Sequence, residues 1–342
     1  MRWKLIGAGV DTVAAFACAG ENPAPLGAAS RGGQWRGLST SRRFALSRAA
    51  MLRLALLALA ALALASPVAP REPQPATPPL WVVRDADTVI WLFGSVHWLK
   101  PELGWFDARV RAAFDAADTL VLETPPADPA VARRVQDAIG KTSEGPTLPE
   151  RLPPGYAAKL ATALAELGYP EGAFDRVKPW LAATTLSVLP LRRQGYDPRE
   201  GVEAVLTDAA RRAGKPIIGL EPRAEQLGYF DDLPEEVQMA MLTRQLDNLD
   251  AATESTDRVL AAWVAGDAAV LGALVDDDQR QSSAAFTETI LTRRNARWAA
   301  WIKARLAQPG QVFMAVGVGH LTGRDTVQRA LARRGVRMAR VQ

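Results

Sequence analysis

Histidine is the residue type whose number and position most clearly indicate a reactive site in this sequence. The chain contains two histidines, and each one ends a Gly-x-x-His motif, Gly94 to His97 and Gly317 to His320. Imidazole is the commonest metal ligand in proteins and titrates near neutral pH, so a converging pair suits metal binding or proton transfer. A lone histidine near a turn more often packs than reacts, but two in the same glycine-rich setting favour a function.

Two glutamates end short apolar runs in the same way. Glu123 follows Leu120-Val121-Leu122, and Glu221 follows Ile218-Gly219-Leu220. An ionised carboxylate at the end of a buried strand is costly unless it is paired, hydrogen-bonded or bound to a cation. We therefore predict that Glu123 and Glu221 belong to the site, with a salt bridge to a nearby arginine as the structural alternative.

Further polar candidates lie on predicted helices. Arg294 could bind a carboxylate or an anionic intermediate, although a solvated helix face explains its neighbour Arg293 equally well. Glu203 begins a predicted helix, where the helix dipole alone would favour an acid.

Tryptophans surround the first histidine motif. Core packing is the predicted role of Trp91, whereas Trp98 and Trp105 are predicted to form a lid or a pocket wall.

The elements that position these residues follow from hydropathy and turn signals. Leu80–Arg84, the turn Asp85–Asp87 and Thr88–Ser95 predict a β-hairpin. Helix and strand patterns then alternate at 106–117 with 119–123, at 202–213 with 215–221, and at 311–316 with 325–334 and 336–341. Two long Ala- and Leu-rich stretches, about 129–194 and 234–307, predict helical insertions that form a lobe.

These patterns predict the α/β class, a single mixed-sheet domain with large helical insertions. Ligands of such sheets bind in the crevice beyond the carboxyl ends of the strands, where glycine lets the backbone approach closely. Both histidines are therefore expected to face one crevice.

Residues 1–69 are predicted to be a leader. From Met51, one arginine, an apolar stretch from Leu54 to Ala65 and small residues form the pattern of a signal peptide, and translation is expected to begin at Met51. A Pro-rich linker at 70–79 and a folded domain at 80–342 follow. The expected location is periplasmic or secreted for a bacterial host, with no stable membrane span after cleavage; an uncleaved N-terminal anchor is the alternative.

The charge distribution argues against a nucleic-acid partner. Basic residues outnumber acidic ones by 8 to 2 in residues 1–69, which leaves 33 basic and 35 acidic residues from Pro70 onward. The excess of positive charge thus belongs to the leader, and no basic face for phosphates is expected. Cys18 also lies in the leader, so neither a disulfide nor a thiolate ligand is expected in the exported part.

The motifs occur together in one order along the chain. They are Ile90 to His97, the strand ending at Glu123, Gly201-Val202-Glu203, Gly219-Leu220-Glu221, Gln226, Arg294-Asn295, and Val316 to Gly323. In this order they resemble the TraB/PrgY/GumN family, which includes the Tiki proteins, over nearly all of the chain from about Leu80. Glu203 departs from the family pattern, in which an aspartate is more usual.

The resemblance implies a fold related to the erythromycin esterases and to a haem-binding ChaN-like group. Because Tiki proteins are metalloproteases, it also implies that His97, His320 and Glu123 bind a divalent metal ion, Mn²⁺ or Co²⁺, with Zn²⁺ as an alternative. Such an ion lowers the pKa of a bound water molecule and polarises a carbonyl group.

The leading hypothesis is therefore an exported, metal-dependent hydrolase that acts on peptide bonds, with Glu123, Glu221 and Arg294 as catalytic residues. Glu221 or a metal-bound carboxylate would accept the proton. One alternative is metal-free ester or amide hydrolysis with His97 as general base. The other is a protein that binds and sequesters a peptide or a haem-like ligand. A peptide or small molecule is the expected partner, and the oligomeric state stays open.

Overall fold

The computed structural model describes residues 74–341, so the predicted leader, the start at Met51 and the first part of the linker lie outside the described residues. The strands are β1 (Gln74–Pro75), β2 (Leu80–Arg84), β3 (Thr88–Ser95), β4 (Leu103–Gly104), β5 (Thr119–Leu122), β6 (Ile217–Gly219), β7 (Gly310–Gly317) and β8 (Ala339–Arg340).

The α-helices follow the same numbering in chain order. They are α1 (Ala108–Ala116), α2 (Pro129–Gly140), α3 (Leu148–Arg151), α4 (Tyr156–Glu166), α5 (Pro179–Leu186), α6 (Leu189–Arg193), α7 (Val202–Arg212), α8 (Arg223–Asp231), α9 (Glu235–Asn248), α10 (Ala252–Val264), α11 (Ala268–Gln281), α12 (Ala284–Thr287), α13 (Arg293–Arg305) and α14 (Val327–Ala332). Short 3₁₀-helices lie at Pro198–Glu200 and Val318–His320, and a π-helix at Glu288–Thr292 joins α12 to α13.

Six strands form one mixed sheet in the order β6-β5-β7-β3-β2-β8. The four strands from β6 to β3 are mutually parallel, whereas β2 and β8 pair antiparallel at the other end. Central strand β7 is buried over 312–317, as expected for a strand with neighbours on both sides and layers on both faces. Strands β1 and β4 form a second, two-stranded parallel sheet. The predicted α/β class, a mixed-sheet domain with helical insertions, is thus confirmed.

The predicted hairpin is confirmed with its bounds. Its turn is held by Asp85, whose Oδ1 accepts hydrogen bonds from the backbone N–H groups of Asp87 at 3.3 Å and Thr88 at 3.0 Å. Short acidic side chains stabilise turns in this way.

Other predicted elements are shorter than their sequence patterns. Helix α1 begins at Ala108 because Asp107 caps it and accepts from the N–H groups of Arg109 and Val110. Edge strand β6 has a single partner, β5, and pairs only with Leu120–Leu122, so its ladder covers 217–219 instead of 215–221.

Helices fill both predicted insertions. The first insertion contains α2 to α6, and the second contains α9 to α13 with the π-helix. Helix α5 is buried along its whole length, and its Trp180 stacks on Phe230 of α8 with ring centroids 5.9 Å apart. Among residues 74–341, none of the helices is both long and apolar enough to cross a membrane.

The start of α7 is packed against the loop that carries His97. Val202 donates its backbone N–H to the carbonyl of Val96 at 3.1 Å, and a Cβ atom on Gly201 would lie 2.0 Å from the carbonyl oxygen of His97. Only glycine therefore permits this contact, which brings Glu203 beside the first histidine motif.

Gly201→Ala is expected to lower the free energy of unfolding by about 1–3 kcal/mol, because the new methyl group must displace backbone. Gly228→Ala is the matched control, since its Cβ atom would meet nothing within 4 Å. In the interior of α8, that change is expected to stabilise by about 0.5–1 kcal/mol. Urea unfolding measures both, and equal effects of the two substitutions would contradict the packing described.

Candidate active site

The four residues predicted from strand ends lie at one edge of the sheet. His97, Glu123, Glu221 and His320 follow β3, β5, β6 and β7, which are the four parallel strands. Their exposed fractions lie between 1% and 8%, so all four are buried. The carboxyl ends of these strands therefore gather two imidazoles and two carboxylates in a small volume, as expected from the sequence.

Arg294 is the central cation of this group. Its side chain is 1% exposed and extends from the first turn of α13. Nη2 donates to Glu123 Oε2 at 2.6 Å and to Glu221 Oε1 at 2.5 Å, and Nε donates to Glu221 Oε1 at 2.9 Å. Nη1 donates to the carbonyl of Ile290 in the π-helix at 3.1 Å. The π-helix, a rare form often found at functional sites, thus supplies one of the acceptors that fix the guanidinium.

Glu123 is held as an ionised carboxylate. Besides Arg294, Oε2 accepts from Gln226 Nε2 at 2.7 Å, and Oε1 accepts from the backbone N–H of Gly317 at 2.8 Å. Burial opposes ionisation, but the charge of Arg294, with smaller contributions from the two histidines and the Gly317 N–H, lowers the pKa of Glu123 to about 2.

Glu221 behaves differently although it shares the same arginine. Burial raises its pKa above the ordinary value, the negative charge of Glu123 adds to this, and Arg294 and Arg297 counteract it. Oε2 lies 3.3 Å from the Tyr229 hydroxyl, which donates to it, and 3.7 Å from Arg297 Nη2. Glu221 is therefore a buried partner of Arg294, outside the set of residues that line the cleft described below.

His320 is held as a neutral imidazole. Nδ1 lies 2.7 Å from the Asn295 side-chain oxygen, which can only accept, so Nδ1 carries the proton. Nε2 then accepts from Arg294 Nη1 at 3.1 Å. Burial and the charge of Arg294 lower the pKa of His320 to about 3, although Glu123 acts in the opposite direction. Trp298 covers the ring at a centroid distance of 4.4 Å.

His97 pairs with a different carboxylate. Its Nδ1 lies 2.8 Å from Glu203 Oε2, near the N-terminus of α7. This contact follows directly from the close approach of Gly201 to the His97 carbonyl group. A carboxylate on Nδ1 orients an imidazole and leaves Nε2 as the nitrogen for proton transfer or ligation.

An open cleft of about 840 Å³ lies over this edge of the sheet, and its lining includes His97, Glu123, Glu203 and Gln226. Arg294, Glu221 and His320 are not among its lining residues, so of the two histidines expected to face one crevice, His97 lines this cleft and His320 does not. The sequence-predicted residues thus divide into a buried group around Arg294 and a pair, His97 and Glu203, that reaches the cleft together with Glu123.

The predicted metal ligands can be tested against this geometry. The lone pair of His320 Nε2 faces Arg294, and Arg294 also holds Glu123, whose Oε1 lies 3.9 Å from His320 Nε2. A divalent ion between these donors would have to displace a buried guanidinium cation. Within residues 74–341, no cluster of three metal-ligating His, Cys, Asp or Glu side chains is present. In this arrangement, the three residues do not fit a single metal ion.

Some site residues carried weaker signals in the sequence. Gln226 and Asn295 entered only through the family resemblance, yet they hold Glu123 and His320 respectively. Glu203 has the sequence pattern of an ordinary helix-start acid and belongs to a family motif, and the Gly201 contact is what brings it beside His97. Tyr229, which contacts Glu221, had no distinguishing sequence pattern.

Two predictions about aromatic residues are wrong. Trp105 is 3% exposed and packs on Phe93 and Trp263 in the core, and Trp98 is 6% exposed in the core of the helical lobe. Neither lines the cleft.

Arg293 is exposed and pairs with Glu288, so its neighbour Arg294 is the arginine of the site.

The fold and the site define an α/β protein with a buried charge centre beneath a strand-end cleft. The model of the TraB/PrgY/gumN family matches residues 79–340. The chain belongs to this family.

Among its relatives are the uncharacterised YbaP proteins of Escherichia coli (strain K12) and Shigella flexneri. Each is 23% identical over 248 residues, which cover 70% of this chain and 86% of the relative. No solved structure matches the chain significantly.

Arg294→Met is expected to lower the free energy of unfolding by about 3–5 kcal/mol at neutral pH, because two buried carboxylates lose their cation. Arg297→Met is the control, since its half-exposed guanidinium touches Glu221 only at 3.7 Å, and its loss should cost about 1 kcal/mol or less. Urea unfolding measures both, and similar losses for the two variants would contradict the central position of Arg294.

His320 is expected to stay neutral and Nδ1-protonated from pH 8 down to pH 5, since its pKa in the folded chain is about 3. Unfolded histidine takes up a proton below about pH 6.5, so this residue makes the free energy of unfolding fall by up to about 1.4 kcal/mol per pH unit between pH 6.5 and pH 3.

Imidazole ¹⁵N chemical shifts measure the ionisation directly, because the chain has just two histidines to assign. Titration of His320 near pH 6.5 in the folded protein would contradict the buried neutral state.

Proposed function

We propose that this protein is an exported hydrolase that cleaves an amide or ester bond in the cleft, with His97 as the general base. The observation that carries the proposal is the 2.8 Å contact between His97 Nδ1 and Glu203 Oε2 at the cleft lining. An imidazole that lines a cleft and has a carboxylate beside one of its nitrogens is an arrangement that serves proton transfer.

In the proposed reaction, Glu203 keeps the proton of His97 on Nδ1, and Nε2 takes a proton from a water molecule as its oxygen attacks the substrate carbonyl carbon. The imidazolium ion then returns this proton to the leaving amine or alkoxide. Glu203 stabilises the imidazolium through its negative charge, which is the usual role of a carboxylate behind a catalytic histidine.

Glu123 supports the same step from the floor of the cleft. It lies close enough to His97 for the two charges to interact, because a protonated His97 helps to lower the pKa of Glu123. By reciprocity, the ionised carboxylate favours the imidazolium that forms during attack. Arg294 and Glu221 act through Glu123 and are positioning residues in this scheme, since neither lines the cleft.

The proposal routes no step through a metal ion, because Arg294 engages two of the three predicted ligands. Metal-dependent hydrolysis with Mn²⁺, Co²⁺ or Zn²⁺ stays a prediction from the family resemblance. It requires Arg294 to move away from His320 and Glu123.

His97→Gln is expected to lower kcat/KM by about 10²- to 10⁴-fold on a cleaved peptide or ester, which is the usual contribution of a general base. Glu203→Gln should give a smaller loss, because the base remains but is less well oriented. Glu235→Gln is the control: this glutamate is exposed and pairs with Arg151 outside the cleft, so its loss should leave kcat/KM unchanged.

The assay uses a quenched-fluorescence peptide library and activated esters with the full chain, with and without a chelator. Activity that survives chelation and depends on His97 supports the proposal. Activity that chelation abolishes and Mn²⁺ restores would favour the metal-dependent form. Cleavage that His97→Gln leaves unchanged would refute the role given to this residue.

A further inference from the structure

One face of α7 lines the cleft. Glu203, Thr207 and Arg211 line it, and they are spaced four residues apart, so they lie on one side of the helix. About two turns separate the first from the last, a rise of about 12 Å. An extended peptide advances about 3.3 Å per residue, so the cleft beside α7 matches about four residues of a strand-like ligand.

Another part of the cleft lining is rich in proline. It consists of the segment after β5 and the start of α2, with Pro125, Pro126 and Pro129 and the small residues Ala127 and Ala132. Proline has a fixed φ angle and no N–H group, so this wall loses little entropy on binding and offers carbonyl acceptors rather than amide donors. Such a wall suits an extended chain that lies along it.

The charged groups of the lining divide into carboxylates and guanidinium groups. Glu123 is held by Arg294, Glu203 contacts His97, and Asp128 caps α2 by accepting from the N–H groups of Ala130 and Val131. Glu123 and Asp128 thus already accept hydrogen bonds within the protein, and Glu203 lies beside the imidazole of His97. Asp208 is a fourth lining carboxylate, and its side chain is largely exposed.

The lining arginines are Arg199, Arg211 and Arg223, which come from three different elements. Arg199 is held at Nε and Nη2 by Asp197, which is not a lining residue, and its side chain is 86% exposed. Arg211 faces Asp208, which also lines the cleft, at 4.0 Å with both side chains largely exposed. This separation is too long for a hydrogen bond, so the contact leaves the Arg211 N–H groups to a ligand carboxylate.

Position along α7 separates two of these arginines. Arg199 precedes Gly201, which touches the His97 carbonyl group, so Arg199 belongs to the His97 end of the cleft. Arg211 belongs to the far end, about two helical turns away. Positive charges are thus distributed along the cleft instead of forming one anion pocket.

We propose that the cleft binds an extended peptide segment with acidic side chains, whose carboxylates pair with Arg199 at the His97 end and Arg211 at the far end. This deepens the proposed function, on which it rests, by naming the substrate class. Guanidinium groups bind carboxylates through paired, charge-assisted hydrogen bonds, and their spacing along a groove selects the spacing of acids in the ligand.

The test measures binding by fluorescence anisotropy with short labelled peptides that contain Asp and Glu, matched peptides with Asn and Gln, and Lys-containing peptides. The full chain with His97→Gln is used so that cleavage does not interfere. The acidic peptides are expected to bind at least about tenfold more tightly than their amide counterparts, in line with two charge-assisted contacts. This preference should shrink as salt rises from low to physiological ionic strength.

Arg211→Gln and Arg199→Gln are each expected to weaken acidic-peptide binding by about three- to tenfold and to leave the amide peptides unaffected. Arg109→Gln is the matched control, because Arg109 contacts Asp107 through Nε and Nη2 as Arg199 contacts Asp197, yet lies outside the cleft lining. It should leave all affinities unchanged.

Equal binding of acidic and amide peptides, or equal effects of the three arginine substitutions, would overturn the proposal. Tighter binding of an acidic oligosaccharide than of every peptide would overturn the choice of peptide. If acidic peptides bind as expected but no peptide or ester is cleaved by the wild type, the hydrolase proposal fails and this inference stands. If neutral peptides are cleaved and acidic peptides are not preferred, the hydrolase proposal stands and this inference fails.

Discussion

The ion-pair network around Arg294 is the interaction on which the rest of the site depends. A guanidinium group that is 1% exposed lies against two carboxylates and an imidazole at the carboxyl ends of neighbouring parallel strands. Each of these ions would be costly to bury alone, and their mutual contacts offset that cost. The network fixes the ionised state of Glu123 and the tautomer of His320, which together set the electrostatics beneath the cleft.

The division between this buried network and the cleft gives the site its chemical character. The cleft lining includes His97, Glu203 and Glu123. It does not include Arg294, Glu221 or His320. Glu123 belongs to both groups. Its carboxylate is paired with Arg294, and its negative charge also acts on His97, the proposed general base. The proposal that His97 transfers protons concerns one end of this cleft, whereas the proposal that Arg199 and Arg211 select acidic ligands concerns both ends.

The strands and the residues at their ends could be located from the sequence because runs of apolar and β-branched residues, an Asp turn and glycine motifs are local signals. Strand bounds agree for Leu80–Arg84 and Thr88–Ser95, and Glu123 follows the predicted buried run. The pairing of Arg294 with Glu123 was not predictable, because these residues lie 171 positions apart and contact depends on the path of α13. The sequence is compatible with a salt bridge at Glu123 and at Glu221. Local sequence patterns do not show that one arginine, Arg294, donates to both carboxylates.

The other differences between the sequence-based predictions and the structure also have physical causes. Glu203 has the sequence pattern of an ordinary helix-start acid. Its contact with His97 depends on the tertiary approach of Gly201 to the His97 carbonyl group, which no local pattern predicts. Trp105 stands near the first histidine motif in sequence, but its ring packs away from the cleft against Phe93 and Trp263. The helical lobe was predicted from composition, yet the π-helix that presents a carbonyl group to Arg294 has no such signature.

The central claim is that the guanidinium group of Arg294 balances the carboxylates beneath the cleft. The most direct measurement is the divalent-metal content of the purified full chain after dialysis against buffer with Mn²⁺, Co²⁺ or Zn²⁺ and removal of the unbound ion. The account predicts no stoichiometric ion in the wild type. One equivalent of tightly bound metal that His320→Gln and Glu123→Gln both abolish would contradict it.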